Sequence, residues 1–293
     1  MTSALTPVVR HWRMLALIVP PVLIFLLIFA TPVLILLAGS FEKMDTATYM
    51  IVDRPTLANY VRFLTSGFYL SVLWDTVRIS GVVTIVCAIT GYPVAHYINS
   101  CSQREQQILS LLIVSPLLVS LVIRSFGWLI LLGRRGVVNT VMMSTGLIER
   151  PLQLIHTEFA VIVGLAHVFW PFMVLSIFAS LRNIDGRIVS AARNLGASPL
   201  TAFRRIILPL SLPGIVAGSI IVFALSVSSF VTPAILGGPW VKMLAALAYE
   251  QTVTVLDWGF GAAISVVLLV VTLALIWLST AIAGRGSAMR PYG

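Results

Sequence analysis

The chain has 293 residues, of which 59% are hydrophobic and 10% charged, and it carries a formal net charge of +9. Soluble domains run at about 45–50% apolar and about 25% charged, so this composition defines an integral protein of the lipid bilayer. It excludes nucleic acid as a partner, because the cations lie between hydrophobic spans rather than on an exposed basic face. Cys87 and Cys101 fall within a predicted span and just beyond its end, and His11, His96, His156 and His167 show no ligand spacing. No disulfide framework, metal site or other cofactor is expected.

Arg10 and Arg13 precede an apolar run, Met14 to Ala38, of about 25 residues. At 1.5 Å per residue this exceeds the roughly 30 Å hydrocarbon core. A secretory signal has a shorter core and a small-residue cleavage site, so a retained first helix is expected, kinked at Pro20, Pro21 and Pro32. Residues 40 to 68 are mixed in polarity and read as a long extramembrane loop. The second span, about Leu70 to Ile98, holds Asp75 and Arg78 three residues apart on one face. They are either a self-neutralising pair near the headgroups or a charged lining of a pathway.

Gln103 to Gln107 is a short polar loop, and a third span runs from Ile108 to about Ile123. Arg124 to Gly136, apolar from Trp128 to Leu132, is either the end of a broken third helix or a short interfacial helix. A turn at Gly136 then opens a stretch to Ile148 that is too brief to span. The fourth span covers about Glu158 to Leu181, with His167 mid-span as a hydrogen-bonded interhelical residue.

Ile184 to Gly214 is the one long segment that is basic, punctuated and amphipathic. Ile188, Ala191, Ala192 and Leu195 share a helical face. Asp185 can cap the N-terminus and Gly196 sits where a left-handed residue would stop the helix, giving roughly three turns. Ser198 and Pro199 form a second start signal. Leu200, Phe203, Ile206 and Ile207 make a second stripe, which Pro209 is expected to end or kink. The fifth span then runs from about Leu212 to Leu236. Near its far end Pro233 cannot donate to the Ser229 carbonyl, so polar backbone is released beside Ser228, Ser229 and Thr232, as a packing kink or as the lining of a cavity. Residues 237 to 257 form a loop whose middle, Met243 to Ala248, reads as a short interfacial helix. The last span, about Gly259 to Ala283, precedes Arg285 and Arg290. Six spans place both termini on one side. The dense arginines of the loop between spans four and five, and the acidic start of the first loop, put that side in the cytoplasm.

The run Ser190-Ala191-Ala192-Arg193-Asn194-Leu195-Gly196-Ala197-Ser198-Pro199, with Phe203, Ile206, Leu208 and Pro209 after it, resembles the EAA loop of bacterial ABC importer permeases. Ser190 stands where that family usually has Glu, so no salt bridge to a partner is expected from this position. The resemblance covers nearly the whole chain and implies the all-α, six-helix type I (MetI-like) permease fold of the inner membrane. It implies residues 1–68 as first helix and periplasmic loop, 69–283 as permease core with coupling loop 182–211, and 284–293 as cytoplasmic tail. It also implies docking onto a dimer of cytoplasmic ATP-binding subunits, a second permease chain and a periplasmic substrate-binding protein. ATP hydrolysis is then the partner's, which agrees with the lack of a G-x-x-x-x-G-K-[ST] motif.

Within that family, Phe230 to Pro239 and Leu131 to Asn139 resemble the polyamine permeases, whose relatives carry other small amino compounds or ferric iron. A flexible polycation is best held by carboxylates and aromatic faces, which makes Asp75, Trp128, Trp170, Phe230, Thr232 and Asp257 the candidate pathway residues. A stand-alone ion-coupled transporter would need intramembrane acids beyond Asp75 and an internal repeat, neither of which the sequence offers. A membrane-embedded enzyme would need a catalytic constellation, and none is present.

Overall fold

The computed structural model describes residues 7–45, 48 and 50–288, with side chains between 17 and 281. The side chains of Arg10, Arg13 and Arg285, and all of Arg290, lie outside the described residues, as does the second half of the expected tail. Helix α1 (Pro7–Ser40) leads to a two-stranded antiparallel ribbon, β1 (Lys43–Asp45) and β2 (Met50–Asp53), and to α2 (Ala58–Thr65). The described residues of the expected loop 40–68 therefore include regular structure. Asn59 ties it down by donating to the carbonyls of Ser40 at 3.1 Å and Glu42 at 2.9 Å.

Helices α3 (Gly67–Ser100), α7 (Glu158–Arg182) and α10 (Leu208–Ser228) form the packed centre. Its core includes Ile79, Val83, Leu165, Met173, Ile177 and Val222. With no hydrophobic drive between helices in lipid, close backbone approach and interhelical hydrogen bonds must hold this centre together. Gly214 supplies the approach, since a Cβ there would meet the Ser180 Cβ and lie 2.6 Å from the Ser176 carbonyl oxygen. Tyr92 with Ser211 at 3.0 Å, and Trp170 donating to Thr90 at 3.1 Å, supply the hydrogen bonds. Helix α1 packs along α13 (Trp258–Ala288) and turns its other apolar side chains outward.

Among the described residues five helices are long and apolar enough to cross a membrane, and one bent pair, taken as a single span, brings the number to six. That pair corrects the third span. Helix α4 (Gln103–Val114) and a 3₁₀ turn, Ser115–Leu118, meet α5 (Leu121–Leu132) at 90°. Pro116 lacks an amide hydrogen, and Val119 and Ser120 are extended with ψ of 138° and 137°, so the helix cannot run through to Ile123. Residues 124–132 thus belong to the second arm of a bent helix pair, which continues into α6 (Val137–Ser144).

Past α8 (Gly186–Asn194), helix α9 (Pro199–Ala202) runs through a π turn, Phe203–Ile207, straight into α10. Pro209 therefore does not end the stripe. The Leu208 amide reaches back five residues to the Phe203 carbonyl, and this wider turn carries the chain past a proline that has no hydrogen to give. The fifth span consequently begins at Pro199 and stops at Ser228. Ser229 is extended, and Pro233 falls in the first turn of a separate helix, α11 (Val231–Leu236), where its missing N–H leaves no carbonyl unpaired. Helix α12 (Leu244–Tyr249) fulfils the short helix expected near 243–248. It packs into the bundle: Leu244 and Leu247 are buried with Phe63, Phe260 and Ile264, and the Leu244 amide donates to Thr76 at 2.8 Å.

Candidate functional site

The loop between the fourth and fifth spans is built as its local chemistry dictates. Asp185 accepts from the Arg187 amide at 2.9 Å and starts α8. Gly196 takes φ +88°, a conformation that side-chain-bearing residues rarely adopt, and ends the turn. Ser198 accepts from the Thr201 amide at 3.2 Å with Pro199 at the first helical position. No residue of α8 is buried. Ile188 is 49% exposed, Leu195 89% and Leu200 60%, so the apolar face is uncovered. Ala191 is exposed on that face, whereas Ala192 is half-buried. Ser190 is occupied locally, its hydroxyl donating to the Gly186 carbonyl at 3.0 Å. Phe203 turns inward, edge-on to Tyr92 and His96, and so anchors the loop to α3. Leu208 and Pro209 follow the π turn at the base of the fifth span, both half-buried.

A second region lies at membrane depth. Gly218 faces Met173 and Thr232 faces Gly164, so the interruption at Ser229 and Phe230 sits opposite the N-terminal half of α7. The Ser226 and Ser229 hydroxyls are buried there with no partner among the described residues. Thr232 is buried and shares a hydrogen bond of 3.2 Å with Ser125 of α5. One turn along α5, Trp128 meets His167 edge-on at 5.7 Å between centroids. His167 is therefore interhelical through ring packing. Trp170, three residues further along α7, borders with His167 a cavity of about 350 Å³ whose other walls come from α3 and α4.

Arg124, which is not among the expected pathway residues, shares a helical face with Trp128 at a spacing of four. Its Nε and Nη1 are buried with no hydrogen-bond partner among the described residues. A guanidinium stays charged, so it makes the Trp128 face unfavourable for a second cation. Phe230 stacks on Tyr249 at 4.9 Å, and Tyr249 adjoins Glu250 at the start of a π turn, Glu250–Thr254. No sequence signal marked Tyr249 or Glu250 inside a mixed loop.

The two predicted acids are both engaged. Asp75 pairs with Arg78 at 3.2 Å, and Arg78 also contacts Glu158 of α7. Asp257 is 4% exposed, binds Arg62 at 3.0 Å and accepts from the Phe260 amide at 3.1 Å, while Arg62 lies over the Phe260 ring at 4.0 Å. The site residues thus fall into an uncovered amphipathic loop, a region of broken helices and two ion-paired acids, one in the N-terminal third of α3 and one at the start of α13.

A polytopic helical bundle with interrupted spans and an exposed amphipathic loop between two of them is the architecture of a membrane permease. Residues 3–286 match the family of binding-protein-dependent transport system inner membrane components. The chain belongs to that family and is a transport subunit of the inner membrane. The spermidine/putrescine transport system permease protein PotB of Haemophilus influenzae is 33% identical over 247 residues, covering 84% of this chain and 86% of that protein. PotB of Escherichia coli is 33% identical over 82% of this chain and 86% of its own length. The fold matches that of a bacterial ABC transporter involved in alginate import, with TM-score 0.77 at 18% identity over 94% of this chain and 96% of that one.

Proposed function

We propose that this chain forms half of the translocation pathway of an ATP-driven importer and receives the energy of a cytoplasmic ATP-binding dimer through α8 and the Gly196 turn. The observation that carries this reading is an apolar helical face, Ile188 to Leu195, left exposed on a capped loop joining two membrane helices. Burying one such Leu or Ile in a partner's groove stabilises the contact by about 1.5–3 kcal/mol. A groove that closes more tightly in one state shifts the transporter toward that state. On this reading the loop and both termini are cytoplasmic, and residues 69–283 are the permease core. A second permease chain completes the pathway, and a periplasmic binding protein delivers the substrate.

The substrate we infer is a polyamine or a related small cationic compound. Two permeases named for spermidine and putrescine transport support this at 33% identity, as does the aromatic pair of Phe230 and Tyr249 beside Glu250. The test is labelled putrescine and spermidine uptake by liposomes holding this chain alone, or holding it with its second permease, ATP-binding subunits and binding protein. Uptake only by the complete set, and only with ATP, is expected. Uptake by the chain alone on an ion gradient would establish a secondary transporter instead. ATP-dependent uptake of another compound, with no polyamine transported, would remove the substrate assignment.

A further inference from the structure

Lys242 and Glu250 form an ion pair of 2.7 Å at a cavity of about 300 Å³ between α11 and α12. Tyr249 forms one wall, Pro233 and Ala234 another, and the Phe230 ring lies against Tyr249 at 4.9 Å. Tyr249 is 49% exposed and Phe230 39%, so both rings keep an open face. Glu250 opens a π turn, a helix irregularity that concentrates at functional sites.

We propose that the Glu250 carboxylate, walled by Tyr249 and backed by Phe230, receives an ammonium group of the substrate, and that Lys242 occupies it until substrate arrives. This rests on the polyamine reading above. The chemistry is one of likeness: a lysine side chain is a primary ammonium on a four-carbon chain, the same group in which a polyamine ends. A carboxylate and an aromatic wall that hold one will hold the other. The Lys242 and Glu250 side chains are 30% and 42% exposed, and a pair so accessible to water is weak enough to exchange. The cavity volume sits at the lower end for small-molecule sites, in keeping with an unbranched ligand. The aromatic pair of Trp128 and His167 has the unpartnered Arg124 on the same face of α5, and the aromatic cluster at Phe260 has its carboxylate, Asp257, already held by Arg62 and by the Phe260 amide. Exchange also preserves charge at the site, since one ammonium leaves the carboxylate as another arrives.

Lys43 is the only other lysine in the chain, which gives an internal reference. In the assembled transporter, amine-reactive labelling of Lys242 relative to Lys43, read by mass spectrometry, is expected to rise at least threefold as spermidine is added. In Glu250→Gln the ratio is expected to be high at the outset and independent of spermidine, and uptake is expected to fall about tenfold. A transporter that carries spermidine while its Lys242 ratio stays constant overturns this inference and leaves the polyamine reading standing. So does a Glu250→Gln variant with unchanged uptake. A transporter that carries no polyamine overturns both.

Discussion

The loop around α8 and the interrupted helices around Phe230 resolve opposite problems. At the loop, apolar Ile188, Leu195 and Leu200 stand exposed where a connection between membrane helices is expected to be polar. At the interruption, Ser226, Ser229 and Thr232 are buried where lipid would favour hydrocarbon. Each is unfavourable in an isolated chain, and in the proposed transporter a partner's groove would cover the loop while a polar pathway would meet the unpartnered Ser226 and Ser229 hydroxyls. Surplus apolar surface on one side of the membrane and surplus polarity within it are what a coupled permease requires.

The comparison can be broken most severely at Gly196. Proline cannot adopt φ +88°, so Gly196→Pro is expected to reduce uptake and transport-coupled ATPase activity more than tenfold while the chain still inserts, because the cap lies outside the packed centre. Normal coupling in this variant would disconnect the loop from energy input. Gly214→Val attacks the packed centre instead, forcing methyl groups against Ser176 and Ser180. A loss of about 1–3 kcal/mol is expected, seen as a lower melting temperature in detergent with uptake falling only as folded protein falls. Asp257→Ala removes an ion pair and the cap of α13 together. Its expected cost is about 1–2 kcal/mol, measured in the same way, and a specific loss of uptake at normal stability would move Asp257 into the pathway.

The loop was legible because its information is local. Asp185, Gly196, Ser198 and Pro199 each act within a few residues, and each forms the cap its chemistry implies. The long spans were legible from hydropathy alone. The breaks were not, since Pro116 and Pro209 are chemically alike yet one ends a helix and the other is absorbed by a π turn. Which outcome prevails depends on neighbouring helices that no local window contains. The same holds for the candidate pathway residues. Trp128 and His167 come together across 39 positions, and the partners of Asp257 and Phe230, Arg62 and Tyr249, are likewise set by tertiary packing. Arg124 was within reach, because its spacing of four from Trp128 already put both on one face.

The central claim, that the α8 face is covered by an ATP-binding subunit, is tested most directly with Leu195→Cys in a chain lacking Cys87 and Cys101. Reaction with a membrane-impermeant thiol reagent is measured in inside-out vesicles with and without the ATP-binding subunits. Leu195 is 89% exposed, so rapid labelling is predicted without the subunits and strong protection with them. Equal labelling in both would contradict the account.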